Sequence, residues 1–354
     1  MHVPTESRNL YPHATAVHSS LQQLPLVVLY VTERCNSRCV TCDYWRHGRV
    51  DMTLESVRRL VPSFVRLQTR LVLLSGGEPL LNTDWAQIAE LLKSIGLRLW
   101  LLTSGLSLVK HTGRVAQLFD MVTVSLDGAN RETYAAIRGV NAFDRVCAGI
   151  RAAAAADVPV SVRVTLQRAN YRQLPEFIEL ARRLGARQVS FVAVDVANPH
   201  AFGRLDDFGA DLALHAQDLP VLERILSDLE RDYDEEFRTG FIAEKPHKLR
   251  RIHQYFAAVC GVGAYPPVRC NAPAFSAVIG AKNQVSPCFF IPGPTAAALQ
   301  GDLETVLNHD AMTALREDIR TGSRPECATC VCALWREPDD RNASSFTLHR
   351  TANA

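Results

Sequence analysis

Short apolar runs alternate with amphipathic stretches along the first part of the chain. Runs of strand length, rich in β-branched residues, predict six β-strands at 24–32, 70–75, 97–104, 120–128, 158–166 and 187–196. Helical periodicity between these runs predicts helices at 53–68, 83–95, 108–118, 143–156 and 174–185. Strands that are apolar throughout and alternate with helices are typical of a parallel sheet covered by helices.

Six successive strand–helix units fit an α/β fold, a partial (β/α)6 TIM-like barrel, over residues 23–197. The chain on either side differs in composition. A polar lead-in occupies 1–22, a mostly helical bridge 198–255 with its clearest helix at 219–237, and a tail 339–354. Residues 256–338 are rich in cysteine, proline and glycine, so this segment has little core of its own and would gain stability from a bound metal.

Composition excludes several classes of protein. Hydrophobic residues make up 47% of the chain and charged residues 21%, as in an ordinary globular protein. A net charge of +2 without a basic stripe argues against a nucleic-acid or membrane-surface partner. No apolar run is long enough for a transmembrane helix, and the first residues lack the apolar core of a secretory signal. We therefore expect a cytoplasmic protein.

Ten cysteines are many for a cytoplasmic chain, where disulfides are disfavoured and clustered thiols indicate metal ligands or catalytic groups. Nine of the ten lie in two groups, three at 35–42 and six at 260–332. Cys147 stands alone in an alanine-rich helix, where a buried structural thiol is expected.

The first group lies in the loop after the first strand, in the sequence VTERCNSRCVTCDYW. Cys35, Cys39 and Cys42 have the spacing C-x3-C-x2-C. Three thiolates can hold three irons of a [4Fe–4S] cluster and leave the fourth iron open to chelate a small molecule. The alternative is a zinc site, which needs a fourth ligand; His47 is the only candidate close in sequence.

Two further motifs follow strand ends, where barrels of this kind place their active groups: Gly76-Gly77-Glu78-Pro79 and Ser125-Leu126-Asp127-Gly128. Together with the cysteine loop they resemble the radical S-adenosylmethionine (SAM) superfamily over residues 24–196. The resemblance implies that the open iron binds the amino and carboxylate groups of SAM. It also implies that one electron then cleaves SAM to a 5′-deoxyadenosyl radical, which abstracts hydrogen from a substrate.

The resemblance also implies which residues contact SAM. Gly76, Gly77, Glu78 and Pro79 would lie at its amino group, because glycines let the backbone approach a ligand closely.

Ser125 and Arg138 would bind the carboxylate and ribose of SAM, with Arg163 of the fifth strand as a further candidate. Without the family resemblance, the alternative interpretation of Arg138 and Arg163 is that both are ordinary charged residues near the protein surface. The family usually has an aromatic residue before the third cysteine, where this chain has Thr41, and Tyr44 could take over its packing against adenine.

The second group comprises Cys260, Cys270, Cys288, Cys327, Cys330 and Cys332. Cys270 and Cys288 flank a predicted β-hairpin with its turn at 280–283. A hairpin pair plus a C-x2-C pair supplies four thiolates, a complete shell for zinc or for a [4Fe–4S] cluster.

This segment resembles the SPASM or twitch extension that follows many radical SAM barrels. The resemblance implies one auxiliary [4Fe–4S] cluster held by Cys270, Cys288, Cys327 and either Cys330 or Cys332, with Cys260 spare. Structural zinc is the alternative.

The expected function is hydrogen abstraction from a small molecule, such as a sugar or aminocyclitol, or from a peptide, with an electron donor such as flavodoxin or ferredoxin. The short lead-in before the first strand favours a small molecule, because it leaves no room there for a peptide-recognition domain. The alternatives are a ribosomal-peptide maturase that works with a separate recognition protein, and a non-enzymatic iron–sulfur or zinc redox module.

Overall fold

The computed structural model describes residues 20–205, 210–294 and 302–336. Most of the predicted lead-in and all of the predicted tail lie outside these residues. Within them, no helix combines the length and the apolarity that a membrane crossing needs.

A single sheet organises the described chain. Its strands are β1 (Leu26–Thr32), β2 (Leu71–Gly76), β3 (Arg98–Thr103), β4 (Met121–Ser125), β5 (Val160–Leu166), β6 (Gln188–Ala193), β7 (Ser276–Ile279) and β8 (Val285–Ser286). They follow one another in the order β6-β5-β4-β3-β2-β1-β7-β8. The first six strands are parallel, which confirms the predicted partial barrel.

Helices connect and cover the strands. They are α1 (Tyr44–His47), α2 (Leu54–Arg66), α3 (Trp85–Ser94), α4 (Leu108–Leu118), α5 (Arg131–Arg138), α6 (Phe143–Ala155), α7 (Leu174–Arg183), α8 (Leu219–Asp232), α9 (Asp234–Thr239), α10 (Pro246–Val259), α11 (Leu303–Leu307), α12 (Asp310–Thr321) and α13 (Pro325–Ala328). The Thr53 side chain caps the start of α2 by accepting a hydrogen bond from Ser56 N. The helix expected at 219–237 is divided at Tyr233 into α8 and α9.

Strand residues alternate between two apolar clusters. Val27 and Leu29 of β1 pack outward into the large core beneath the helices. Leu26 and Val28 point to the other face and pack into a smaller inner cluster. The inner face of the sheet is therefore apolar on β1 and its neighbours. Because the helices pack on the outer face, another part of the chain has to cover the inner face.

The cysteine-rich segment covers that inner face. Phe275, Val278 and Leu334 belong to the inner cluster together with Leu26 and Val28. The predicted hairpin is present as β7 and β8, and β7 also pairs in parallel with β1 and so extends the barrel sheet. Cys270 and Cys332 of the second cysteine group thus pack against the inner face of the barrel.

Candidate functional site

The first cysteine loop is held on one side by the end of α5. Arg38 N donates to the carbonyl of Arg138 at 3.0 Å, and Val40 N donates to the carbonyl of Ile137 at 3.0 Å. Gly139 ends α5 in the left-handed region at φ 67°, and a Cβ built there would lie 2.3 Å from the Arg38 carbonyl oxygen. Glycine at this position therefore allows the helix end and the loop to touch.

The predicted glycine motif holds the other side of the loop. Gly77 N donates to the carbonyl of Thr32 at 2.9 Å, and Glu78 N donates to the carbonyl of Arg34 at 2.7 Å. A Cβ on Gly77 would lie only 2.2 Å from the Arg34 carbonyl oxygen. The motif thus fixes the backbone that leads directly into Cys35.

The three thiols lie close enough together to affect one another's ionisation. Burial, together with the charges of Cys39 and Glu78, raises the pKa of Cys35 to about 11. Burial likewise raises the pKa of Cys39 and of Cys42, and Cys39 and Cys35 add to the shift of Cys42. Without a cation these thiols stay protonated near pH 7, so a positively charged centre is needed to make them thiolates.

The donor set fits an iron–sulfur cluster. Backbone N–H groups of Ser37 and Tyr44 donate to the sulfurs of Cys35 and Cys42, an arrangement that tunes cluster thiolates. Across the described ranges, no three His, Cys, Asp or Glu side chains converge on a position for one ion. A cluster does not require such convergence, because each thiolate binds a different iron. The Nε2 atom of His47 contacts the carbonyl oxygen of Gly203.

Glu78 is fully buried, and its carboxylate joins the ends of β2 and β3. It accepts hydrogen bonds from the hydroxyl of Thr103 at 2.7 Å, and from the backbone N–H and hydroxyl of Ser104 at 2.7 and 2.6 Å. The Ser104 hydroxyl also lies 3.0 Å from Oδ1 of Asn36 in the cysteine loop. Glu78 therefore positions this loop as well as the glycine motif.

Arg138 forms a buried ion pair. Its Nη1 donates to Oδ2 of Asp127 at 3.0 Å, and their side chains are 11% and 3% exposed. Burial alone would lower the pKa of Arg138, but the charges of Cys39 and Asp127 outweigh it and raise the pKa above its usual range. Asp127 also accepts from Thr165 N at 2.7 Å. The sequence marked Asp127 only as part of a motif, whereas in the structure Asp127 anchors the arginine beside the cysteine loop.

Polar residues line the inner face toward the carboxyl ends of the strands. Ser125 on β4 is in register with Arg163 on β5, and Arg163 is in register with Ser190 on β6. On β1 and β3, the inward positions nearer the amino ends are apolar, as in Val28 and Trp100. The inner face therefore becomes polar at the end where the cysteine loop lies.

Aromatic residues connect the two cysteine groups. The ring of Tyr44 packs edge to face against Tyr30 of β1, with 5.4 Å between centroids, and Phe289 lies 6.4 Å from Tyr30. Burial raises the pKa of Tyr30 well above its usual value, and the charges of Tyr44, Cys42 and Cys288 add to the shift. Tyr30, which the sequence marked only as part of a strand, thus lies between Cys42 of the first group and Cys288 of the second.

Five of the six later cysteines lie together. Burial, and then the charges of Cys270 and Cys327, raise the pKa of Cys288. Burial and the charges of Cys332, Cys270 and Cys288 likewise raise the pKa of Cys330. The N–H of Cys332 donates to Cys330 Sγ at 3.3 Å, and the N–H of Phe290 donates to Cys288 Sγ at 3.5 Å.

Cys260 lies apart from this set, because its thiol donates to the carbonyl of Leu214 at 3.1 Å. Its thiol is therefore engaged elsewhere, and its status as a spare cysteine stays a prediction.

The segment after β6 ties both cysteine groups together. Asp43 N, next to Cys42, donates to the carbonyl of Phe202 at 3.1 Å. Asn198 Nδ2 donates to the carbonyl of Phe290 at 2.9 Å, two residues after Cys288. No sequence motif marked this connection, since it depends on contacts between residues distant in the chain.

Comparison with known proteins finds similarity to one family and to several of its curated relatives. Residues 29–181 match the model of the radical SAM superfamily. The chain is 32% identical to an AdoMet-dependent heme synthase of Methanosarcina barkeri over 167 residues, 46% of this chain and 48% of that protein. It is 30% identical to a pre-heme d1 synthase of Dinoroseobacter shibae over 223 residues, 61% of this chain and 55% of that protein. The chain thus spans about half the length of these curated relatives.

The fold likeness extends beyond the barrel. The crystal structure of Streptococcus suis SuiB bound to the precursor peptide SuiA superimposes with a TM-score of 0.62 at 16% identity, covering 84% of this chain and 68% of SuiB. At that identity the likeness concerns the fold alone.

Proposed function

We propose that this chain, whose residues 29–181 match the radical SAM superfamily, is an enzyme that abstracts hydrogen from its substrate by radical chemistry. A [4Fe–4S] cluster held by Cys35, Cys39 and Cys42 would supply one electron for the reductive cleavage of a sulfonium carbon–sulfur bond of SAM to methionine and a 5′-deoxyadenosyl radical. A protein electron donor such as flavodoxin or ferredoxin would supply that electron.

The observation that carries the proposal is the clamped cysteine loop. Cys35, Cys39 and Cys42 would hold the cluster, and the loop that carries them is bonded to Gly77 and Glu78 on one side and to the end of α5 on the other. The loop geometry is therefore set before any metal binds, which lowers the cost of ordering the ligands.

Residues around the loop would position SAM. Arg138 lies beside Cys39, and its guanidinium suits a carboxylate because it offers forked donors. Its Nε atom is buried without a hydrogen-bond partner among the described residues. The backbone at Gly76, Gly77 and Pro79 would face the amino group of SAM, with Ser125 toward the ribose. Tyr44 would pack near the adenine.

The second cysteine group would hold one auxiliary [4Fe–4S] cluster. The ligand set that we favour is Cys270, Cys288, Cys327 and Cys330. We include Cys330 because the charges of both Cys270 and Cys288 raise its pKa, and because its sulfur accepts a hydrogen bond from a backbone N–H. Cys332 would be the additional thiol.

A small-molecule substrate is the better candidate. The curated relatives are named for the synthesis of heme and pre-heme d1, both small molecules. A peptide substrate remains the alternative from the sequence, and the likeness to SuiB does not favour it because it concerns the fold alone.

Anaerobic reconstitution with iron and sulfide, followed by dithionite and SAM, tests the proposal. We expect the protein to release 5′-deoxyadenosine, detected by liquid chromatography and mass spectrometry. Cys39→Ala should abolish the product. Cys147→Ala should not, because that thiol lies in the helical core. A fully loaded protein that binds no SAM and forms no 5′-deoxyadenosine would instead favour a non-enzymatic redox module.

A further inference from the structure

A recess lies beside the cysteine loop, where the end of α5 meets the segment that follows β5. Its volume is about 480 Å³, which is within the size range of small-molecule sites. Val40 of the cysteine loop and Ile137 of α5 line it together with residues of the segments 167–172 and 211–218. None of these described lining residues is among those that we propose to contact SAM. The recess is therefore a candidate site in its own right.

The arginines and carboxylates in this lining are paired with one another. Arg168 lies 3.4 Å from Asp211, and Arg172 lies 3.5 Å from Asp218. Asp218 also accepts a hydrogen bond from the Tyr171 hydroxyl at 2.7 Å. An ion that enters the recess would meet a like charge beside each opposite one, so the pairs offer it little net attraction. The lining therefore favours an uncharged ligand.

Gln167 brings an unmet hydrogen-bonding group to the recess. This residue is 1% exposed, and its Nε2 atom is buried without a hydrogen-bond partner among the described residues. The backbone around it is fixed, because Gln167 N donates to Oδ1 of Asn170 at 2.8 Å and its carbonyl accepts from Tyr171 N at 3.0 Å. An unpaired buried amide donor costs about 1–3 kcal/mol, and a ligand that accepts from it would recover that cost.

A glutamine amide offers N–H donors beside a carbonyl acceptor, so its complement is a carbonyl beside an N–H, as at the edge of a nucleobase. Val40, which is 41% exposed, and the partly buried Leu212 add apolar surface for the face of a ring. From the volume, the paired charges and the unmet amide, we propose that the recess binds a small uncharged heterocycle with such an amide edge, of the uracil type, through Gln167. This site does not rest on the proposed function.

Equilibrium dialysis of the reconstituted protein with radiolabelled uridine tests the site. We expect one saturable site per chain. 3-Methyluridine lacks the N–H of the amide edge and should bind about tenfold more weakly, because the Gln167 amide then keeps an unpaired group. Gln167→Met removes that amide at similar volume, so it should weaken uridine binding about tenfold and remove the difference between the two nucleosides. Saturating SAM should leave uridine binding unchanged.

Gln117→Met is the matched control, because Gln117 lies exposed on α4, where it accepts from Arg114 at 2.8 Å. It should bind both nucleosides as the unaltered protein does. Three results would each overturn the proposal: no saturable uridine binding, equal binding of the two nucleosides by the unaltered protein, or displacement of uridine by SAM. The comparison of nucleosides needs no variant, so it decides the matter even if Gln167→Met folds poorly. Release of 5′-deoxyadenosine by the unaltered protein reports separately on the proposed function.

Discussion

Arg138 and Asp127 form an ion pair, with 3.0 Å between Nη1 and Oδ2, at the point where α5 meets the cysteine loop. The backbone carbonyl of Arg138 accepts from Arg38 in the same loop. One residue therefore holds the loop through its backbone and presents a cation to Cys39 through its side chain. Arg138 therefore combines a structural contact with its proposed role in SAM binding, and substitutions can separate the two.

Arg138→Gln should destabilise the apoprotein by about 3–5 kcal/mol, because it leaves the Asp127 carboxylate buried without its cation. The double variant Asp127→Asn/Arg138→Gln should regain most of that loss in urea unfolding. If Arg138 binds the SAM carboxylate, the double variant still fails to form 5′-deoxyadenosine at SAM concentrations that saturate the unaltered protein. Recovery of both stability and product would show a structural role only.

Gly77→Ala tests the close contact between the glycine motif and the cysteine loop. The added methyl would lie 2.2 Å from the Arg34 carbonyl oxygen, so the backbone must shift, at a cost of about 1–3 kcal/mol. We expect less iron bound after reconstitution and a lower urea midpoint. Gly113→Ala is the control: no atom lies within 4 Å of its added methyl, and alanine in the α4 helix should add about 0.5–1 kcal/mol. Unchanged iron binding in Gly77→Ala would contradict the expected role of this contact.

Strands β1, β2 and β3 were predictable as mostly apolar runs buried on both faces, and β4 and β5 as strands in which apolar residues alternate with polar ones. The hairpin of β7 and β8 was predictable from its turn, where Asn283 adopts φ 63°. The parallel pairing of β7 with β1 was not, because the two strands are distant in sequence and each reads as an ordinary apolar run. Helix α5 carried a usable signal, since Asn130 caps it and Gly139 ends it.

The candidate cysteine ligands could be proposed from the sequence because the spacing within each motif is local. The partners that orient them could not: Asp127 pairs with a residue on a following helix, and Tyr30 lies between cysteines that are far apart in the chain. Such contacts depend on how the loops fold over the strand ends.

Iron content should distinguish the ligands of the second group. Cys288→Ala and Cys330→Ala should each lose about one cluster's worth of iron and keep the absorbance of the SAM-binding cluster. Cys260→Ala should lose none, because its thiol is bonded to the Leu214 carbonyl. Cys332→Ala decides the open choice: unchanged iron supports Cys330 as the fourth ligand, and a loss equal to that of Cys288→Ala would assign Cys332 instead.

Two buried aspartates should give opposite dependences of stability on pH. Burial raises the pKa of Asp195, whereas hydrogen bonds from Tyr171 and His215, with the charge of Arg172, outweigh burial and lower the pKa of Asp218. Because the pKa of Asp195 is raised in the folded state, its ionised carboxylate destabilises the fold. This destabilisation is present above the folded pKa and is relieved as the pH falls through that pKa. Because the pKa of Asp218 is lowered in the folded state, its ionised carboxylate stabilises the fold above the unfolded pKa. This stabilisation is lost as the pH falls through the folded pKa.

Asp195→Asn should therefore raise the urea midpoint of the apoprotein at pH 7–8, with a gain that shrinks as the pH falls. The substitution keeps an oxygen to accept from Ala197 N and Asn198 N, at 3.0 and 2.9 Å, and replaces Oδ2, which has no hydrogen-bond partner among the described residues. Asp218→Asn should lower the midpoint at pH 7–8, with a deficit that also shrinks in acid. Differences that stay constant from pH 8 to pH 5 would show that packing, and not charge, determines both effects.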